Sequence, residues 1–323
     1  NVFDSVTSIS QGGLTENRVY DGNNFLCKRI RKDVGNEAFY NNALGEVAWR
    51  AHGVSVNSST TSCDTSVYNS EKTIFTRGNT GLVVLENYGD SSPDKTMSYN
   101  KNGLMTSVSA GGVVNSYVYN SANILDTETL SIDSKVFTFH YDYDSRKNLT
   151  SNTYPNGEIV TYSPNALGQP TSASSYASNV TYYPNGLLKQ FTYGNGFVHN
   201  SIQYSNGLPK DFYDKKGTTV ALDNYIEYDA NGNLEYLRDD QNSLYNLDLG
   251  YDQLDRLVSV NDSYLGSGQI NYDSMNNITY LKMGNHLIDY TYDGTTKRLS
   301  STTGTYAYDF NYDNRGNVTY NGF

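Results

Sequence analysis

The run Tyr228-Asp-Ala-Asn-Gly-Asn-Leu234 recurs as Tyr251-Asp-Gln-Leu-Asp-Arg-Leu257, Tyr272-Asp-Ser-Met-Asn-Asn-Ile278, Tyr292-Asp-Gly-Thr-Thr-Lys-Arg-Leu299 and Tyr312-Asp-Asn-Arg-Gly-Asn-Val318. The leading tyrosines stand 23, 21, 20 and 20 residues apart, and an aliphatic residue follows each after six or seven positions. A period near twenty residues marks a repeat architecture. Composition alone does not produce it. With 31 Tyr and 25 Asp in 323 residues, chance gives about 2.4 Tyr-Asp steps, whereas the chain has ten.

Each unit reads as two strands and two turns. In Phe137-Thr-Phe-His-Tyr-Asp-Tyr143 the aromatics alternate with Thr138, His140 and Asp142, and Tyr306-Ala-Tyr-Asp-Phe-Asn-Tyr312 alternates likewise. Period-two alternation predicts a strand with one packed and one wetter face. Tyr251, Tyr272, Tyr292 and Tyr312 are therefore expected in equivalent packed positions, as are Leu257, Ile278, Leu299 and Val318. Asp229, Asp252, Asp273, Asp293 and Asp313 open turns, because a carboxylate there accepts backbone N–H bonds. Gly232 and Gly316 tolerate the positive φ such turns need. The far end of a unit is expected to turn through Asn-Gly, as at Asn156-Gly157, Asn185-Gly186, Asn195-Gly196 and Asn206-Gly207.

Outward from this stretch the period holds back to Tyr99, which makes residues 99–323 a regular array. Residues 1–98 carry it in degraded form, with Tyr20-Asp-Gly-Asn-Asn-Phe-Leu26 and Tyr40-Asn-Asn-Ala-Leu-Gly-Glu-Val47 the clearest echoes. A Ser/Thr-rich stretch from Ser55 to Ser70 breaks the rhythm and predicts a longer loop. No sharp boundary separates the two parts. About 26 strands at about 4.8 Å make a ribbon about 125 Å wide. Open sheets rarely exceed about ten strands before they curl or close. The expected fold is all-β: tandem hairpins in a long, strongly curved, spiralling sheet. Tyr suits such a layer, since its ring packs on neighbours while its hydroxyl finds a polar partner.

Charge and composition exclude several classes. The net charge of −11 and the pI near 4.7 oppose nucleic-acid binding. The one basic cluster, Lys28-Arg-Ile-Arg-Lys32, reads as a solvated strand or turn. Mean hydropathy is −0.61, yet abundant aromatics and regular alternation argue against disorder. No apolar run reaches the ~18 residues of a membrane helix. The chain shows no signal peptide and begins at Asn1 rather than Met, which reads as a segment of something longer. Cys27 and Cys63 are compatible with a disulfide or with two free thiols.

Catalytic patterns are absent. His52, His140, His199 and His286 are isolated, with neither His-x-x-x-His nor Cys-x-x-Cys spacing, so no metal site is expected. The acid pairs Asp142/Asp144 and Asp239/Asp240 fit turns better than a Ca²⁺ loop. Gly266-Ser-Gly268 lacks the rest of a nucleophile elbow, and there is no phosphate-binding loop. The chain is expected to be no enzyme and to hold no cofactor. Aromatic-rich β surfaces also bind sugars by stacking, so a glycan-binding or adhesive surface is the alternative. A propeller built from paired units would alternate odd and even units in character, and no such doubling is visible.

Tyr-Asp-x-x-Gly-x-Leu at this spacing resembles the YD repeat of the Rhs family, which includes the B and C components of Tc toxin complexes, bacterial Rhs polymorphic toxins and the teneurins. The resemblance is strongest from Tyr228 to Val318 and weakest before Tyr99. It implies a spiralling sheet that builds a hollow shell, in a secreted or cell-surface bacterial protein. The implied partners are an enclosed toxin or effector polypeptide and neighbouring shell segments of the same or another chain. One departure is clear. Bacterial members of the family close the shell with a plug that contains Asp-Pro and Gly-Leu elements and an aspartate-based autoprotease, and here the six prolines follow Ser, Tyr, Ser, Gln, Tyr and Leu. No autoproteolytic residue carries over.

Overall fold

The computed structural model describes residues 5–64 and 66–322. The chain ends noted above, Asn1 and Phe323, lie outside these residues. The described chain is all-β, with antiparallel sheets of 14, 13 and 2 strands and two three-residue 3₁₀ turns as its only helix. Within each sheet every strand pairs with its neighbour in sequence. The chain is thus a ribbon of hairpins whose turns alternate between two edges.

One edge is made by the repeat's own turns. Asp229 Oδ1 accepts from the backbone N–H groups of Asn231 (2.9 Å) and Asn233 (2.8 Å), and Gly232 N–H closes the turn on the Asp229 carbonyl at 3.1 Å. Asp252, Asp273 and Asp313 hold their turns the same way. The third residue after the aspartate is left-handed: Gly232 at φ 90°, Asp255 at 57°, Asn276 at 67° and Gly316 at 85°. This is a three-residue hairpin loop with a bulge, and the register shifts just before Tyr228, Tyr251, Tyr272 and Tyr312. The extra residue of the Asp293 loop moves the left-handed position to Lys297, φ 58°. Length variation sits in turns, where it leaves the strand faces alone.

The far edge differs from the expectation of Asn-Gly turns. Gly12-Gly13, Gly111-Gly112 and Asp133-Ser134 have positive φ at both central residues, the pattern of a type I′ hairpin. The Asn-Gly pairs divide between the edges. Asn156-Gly157 and Asn195-Gly196 lie on the far edge, while Asn185-Gly186 and Asn206-Gly207 occupy turns on the aspartate edge. In all four, Gly takes the left-handed position of a four-residue turn, a role either edge accepts. The run Tyr306–Tyr312 also departs from one continuous strand. It divides into Tyr308–Asp309 and Asn311–Tyr312, and Tyr306 is 45% exposed.

Regular pairing stops between Ile159–Thr161 and Ala177–Tyr182. Single bonds carry the ribbon across: Ser174 N–H to Thr161 carbonyl, Thr171 to Ser163 and Val180 to Thr171, at 2.9–3.2 Å. Pairing is unbroken near residue 98, where Lys95–Tyr99 pairs on both sides.

The sheet is a single layer over most of its length. Accessible surface is 19197 Å², against about 13,000 Å² for a compact monomer of 36.0 kDa. Among the described residues, eight of the ten buried apolar side chains lie before residue 98. There Val19, Lys28, Ala38 and Ala51 form a cross-strand row, and the loop after His52 adds Val56 and Val67 to the same core. Lys28 is not solvated as its cluster suggested. It is fully buried, with Nζ 2.8 Å from Asp64 Oδ1 and 3.0 Å from Asn57 Oδ1. The physical reason is the loop itself, which supplies a carboxylate and an amide where solvent would stand. Cys27 and Cys63 are joined in a disulfide with Cα atoms 5.5 Å apart, which settles the choice left open above.

Candidate functional site

The side-chain contacts that recur along the described residues staple the ribbon and close it. The repeat tyrosines are the staples. Tyr251 Oη donates to the Leu234 carbonyl at 2.9 Å, Tyr272 to Leu257 at 2.9 Å, Tyr292 to Ile278 at 2.8 Å and Tyr312 to Leu299 at 2.8 Å. Each ring thus reaches back to the first strand residue after the previous turn. The same step joins Tyr119 to Met105 and Tyr99 to Val83. A phenylalanine would pack there but leave the carbonyl unbonded, which accounts for Tyr over Phe. Burial comes first in holding the Tyr228, Tyr251, Tyr292 and Tyr312 hydroxyls above the ordinary tyrosine range.

The repeat tyrosines are half-buried, not sealed, because one layer covers each side chain only from its neighbours. Leu234, Leu257, Ile278 and Leu299 share this state, whereas Val318 is 52% exposed. The others lie at the carbonyl reached by a following tyrosine; among the described residues Val318 has no such cover. Tyr228 meets Tyr204 edge to face, 6.2 Å between centroids. Tyr204 itself reaches forward to the Ile226 carbonyl at 2.8 Å, which reverses the usual direction.

The turn acids are held ionised. Hydrogen bonding from the Asn233 side chain lowers Asp229, Arg256 lowers Asp252, the Thr296 backbone lowers Asp293 and Asn317 lowers Asp313. Arg256 also stacks on the next unit's Tyr272 ring at 4.6 Å and donates to Asn276 Oδ1 at 2.8 Å, tying turn to turn. Asp144 and Asp239 serve turns, Asp142 accepts from Ser151, and Asp240 pairs with Arg238. Among the described residues no three His, Cys, Asp or Glu side chains gather as metal ligands would. His199 is less isolated than its sequence spacing suggested. Its Nδ1 lies 2.7 Å from Asp214 Oδ1, directly across the strand pair, with Tyr193 Oη donating to the other oxygen at 3.2 Å.

The feature that sequence reasoning missed is a seam. Arg298 Nε donates to the Asp33 carbonyl at 2.5 Å across 265 residues, while its Nη1 holds the Asp313 carbonyl at 2.9 Å. A Cβ on Gly35 would stand 2.2 Å from the Asn314 carbonyl oxygen, and one on Gly12 only 2.1 Å from Met275 Cγ. The aspartate edge of the last units therefore rests on the far edge of the first. The ribbon has come round once. No local signal announces this, since the partners are ordinary turn residues.

No protein-family model and no curated protein matches the sequence. Solved structures do. The crystal structure of TcdB2-TccC3 superposes with a TM-score of 0.69 at 12% identity, over 94% of this chain and 21% of that one. The Photorhabdus luminescens Tc holotoxin pore gives 0.69 at 12% identity, over 94% and 20%. TcdB2-TccC3-Cdc42 gives 0.68, also at 12% identity and over 94% and 20%. The chain spans about a fifth of the length of these shell chains. Repeat phrasing and backbone path agree: this chain has the β-shell fold of the Tc toxin structures, consistent with the Rhs/YD-repeat family.

Proposed function

We propose that this chain forms one turn of the wall of a hollow shell that keeps a toxin or effector polypeptide apart from its surroundings, and that it turns over no substrate. The observation that carries this reading is the seam between Arg298 and Asp33. A ribbon that meets itself after about two dozen strands has a circumference on the order of 115 Å and a diameter near 37 Å. Subtracting the thickness of the sheet leaves an interior about 25–30 Å across. A folded 100-residue domain, with a radius of gyration of about 13 Å, fills or exceeds that width. An extended chain fits. An acidic wall suits a basic, unfolded cargo, held through solvated contacts without a large apolar surface on which to collapse. The disulfide supports assembly in an oxidising compartment, consistent with a secreted or cell-surface bacterial protein.

Cryo-electron microscopy of the native polypeptide should show this turn in the wall of a hollow particle with weak internal density. A solid interior would overturn the reading. The adhesive alternative predicts saturable, competable binding of this chain to one glycan class on an array.

A further inference from the structure

The basic run Lys28–Lys32 divides at the seam. Lys28 and Arg29 pair with Asp64 and Glu37 respectively, and Arg31 pairs with Asp33, while Lys32 has no carboxylate within ion-pair reach among the described residues. Lys32 lines a cavity of about 350 Å³ together with Gly35, Val54 and, from the last units, Arg298 and Asn314. Arg298 is uncompensated too. Its counterpart Arg256 ion-pairs with Asp252 of its own turn, Nη2 to Oδ2 at 2.6 Å. The extra residue of the Asp293 loop breaks that pairing: Asp293 Oδ1 instead accepts from the Thr295 N–H at 3.0 Å and the Thr296 hydroxyl at 2.8 Å. Arg298 turns to the carbonyls of Asp33 and Asp313, which satisfy Nε and Nη1 but leave its charge unpaired and its Nη2 free.

The polar groups around the cavity are sorted by sign. The carbonyls of Asp33 and Asp313 accept from Arg298, that of Val34 from His52 and that of Val56 from Asn36. Among the described residues no carboxylate lines the cavity. Two stand nearby, both turned to other donors: Asp33 to Arg31, and Glu71 to Ser55. Donors remain, namely Lys32 Nζ, Arg298 Nη2 and the Asn314 side-chain amide. Lys32 and Asn314 are exposed, so solvent reaches the cavity. Two unpaired cations at one cavity repel each other, and an anion between them reverses the sign of that energy.

We propose that this cavity binds a tetrahedral oxyanion, phosphate either free or as a small monoester, held by Lys32 from the first region and by Arg298 and Asn314 from the last units. A guanidinium and an ammonium are the donors that phosphate takes through charge-assisted bonds. The volume equals roughly ten waters at about 30 Å³ each, which leaves room for an ester group or a bridging water. Because the donors come from both sides of the seam, the ion binds the closed ring and not the open one. It therefore stabilises closure by mass action. A dianion bridges two cations where chloride only screens them, so the response is distinct from a general effect of salt. The inference rests on the seam and not on any cargo, so it stands or falls separately from encapsulation.

Titration of inorganic phosphate into the purified chain, at constant ionic strength balanced with sodium chloride, tests it. Calorimetry should show one saturable site, and the urea midpoint read by Trp49 fluorescence should rise with phosphate but not with chloride. Lys32→Gln should weaken binding about tenfold through the loss of one charge-assisted bond. Asn314→Asp, which puts a carboxylate at the cavity, should abolish binding. Lys101→Gln, at an exposed lysine of another turn, should leave it unchanged, and circular dichroism checks that every variant keeps its strands. Glycerol 3-phosphate separates the two sources: tighter binding than phosphate assigns a monoester, and weaker binding assigns the free ion. A wild-type response that chloride reproduces, or that fails to saturate by about 10 mM, would overturn the proposal. So would Lys32→Gln and Asn314→Asp chains that stay folded and bind phosphate as the wild type does.

Discussion

Residues 5–98 and residues 228–322 use the same hairpin and hold it in different ways. In the later region each unit leans on the next through a tyrosine hydroxyl, a turn carboxylate and an occasional arginine, and nothing spans more than about one repeat until the seam. In the earlier region the units are irregular, and the loop after His52 packs against them through a disulfide, a buried ion pair and two valines. Stability in the array is a sum of near-identical neighbour terms. In the first region it depends on one long-range patch. The seam then lays the regular part on the irregular one, so the anchored region serves as the base on which the spiral closes.

The comparison breaks most sharply at the patch. Lys28→Met leaves Asp64 buried beside Asn57 alone, and should cost about 3–5 kcal/mol. Cys27→Ala frees a span of 36 residues, and should cost about 4 kcal/mol by loop-closure entropy. The two effects should fall short of additive, since both release the same loop. Trp49, the single tryptophan, packs against the core of this region. Its fluorescence transition in urea should shift, while hydrogen exchange in 228–322 moves little. Equal loss of protection in both regions would show that the ribbon unfolds as one unit.

Gly35 and Gly232 separate the seam from the turn. Both have strongly positive φ, 88° and 90°, but a Cβ at Gly232 meets nothing within 4 Å. Gly232→Ala should cost about 1 kcal/mol, the backbone term alone. Gly35→Ala adds a clash with a backbone carbonyl and should cost about 2–3 kcal/mol. It should also raise the hydrodynamic radius as the ring opens; an unchanged radius would mean that the seam yields without parting.

Smaller effects sharpen the account of the repeat. Tyr272→Phe keeps the packing and loses the bond to the Leu257 carbonyl, which should cost about 1 kcal/mol. Tyr272→Ala should cost about 2 kcal/mol, below the value for a sealed aromatic because the ring is half-buried. Asp273→Ala removes an acceptor from two turn N–H groups, a loss near 1 kcal/mol. Urea titrations of the three variants check the order. An Asp273 loss larger than the Tyr272→Ala loss would mean that the turn, not the staple, sets the register.

The period was legible because every contact that enforces it lies within one repeat, so each unit repeats its own instructions. Asp229, Gly232 and their counterparts could be assigned to turns from chemistry alone. The phase of the Asn-Gly pairs could not, since turns on either edge ask for the same left-handed residue; Gly157 and Gly186 occupy identical turns on opposite edges. Lys28 was misread because its partner stands 36 residues away in a loop without periodicity. The seam was invisible for the same reason at greater range. Arg298 and Arg256 look alike in sequence, yet only the first meets a tip from the opposite end of the chain.

The pH response should divide the two regions again. Asp229, Asp252, Asp293 and Asp313 are held below the usual carboxylate range in the folded chain, by the Asn233 side chain, Arg256, the Thr296 backbone and Asn317 respectively. A lowered folded value contributes stability that is present above the unfolded value, about 3.9, and is lost as pH falls through the folded one. The repeat tyrosines behave oppositely. Burial raises Tyr251, Tyr292 and Tyr312, so their contribution is present below about 10 and is lost as pH rises through the raised value. Both losses fall mainly on the array. Asp33 and Asp90 shift downward in the first region too, but the disulfide there does not titrate in either range. Far-UV circular dichroism, which reports the whole ribbon, should therefore change before Trp49 fluorescence at both ends of the pH scale. If Trp49 shifts first, the anchored region is the weaker of the two and the seam holds it rather than resting on it.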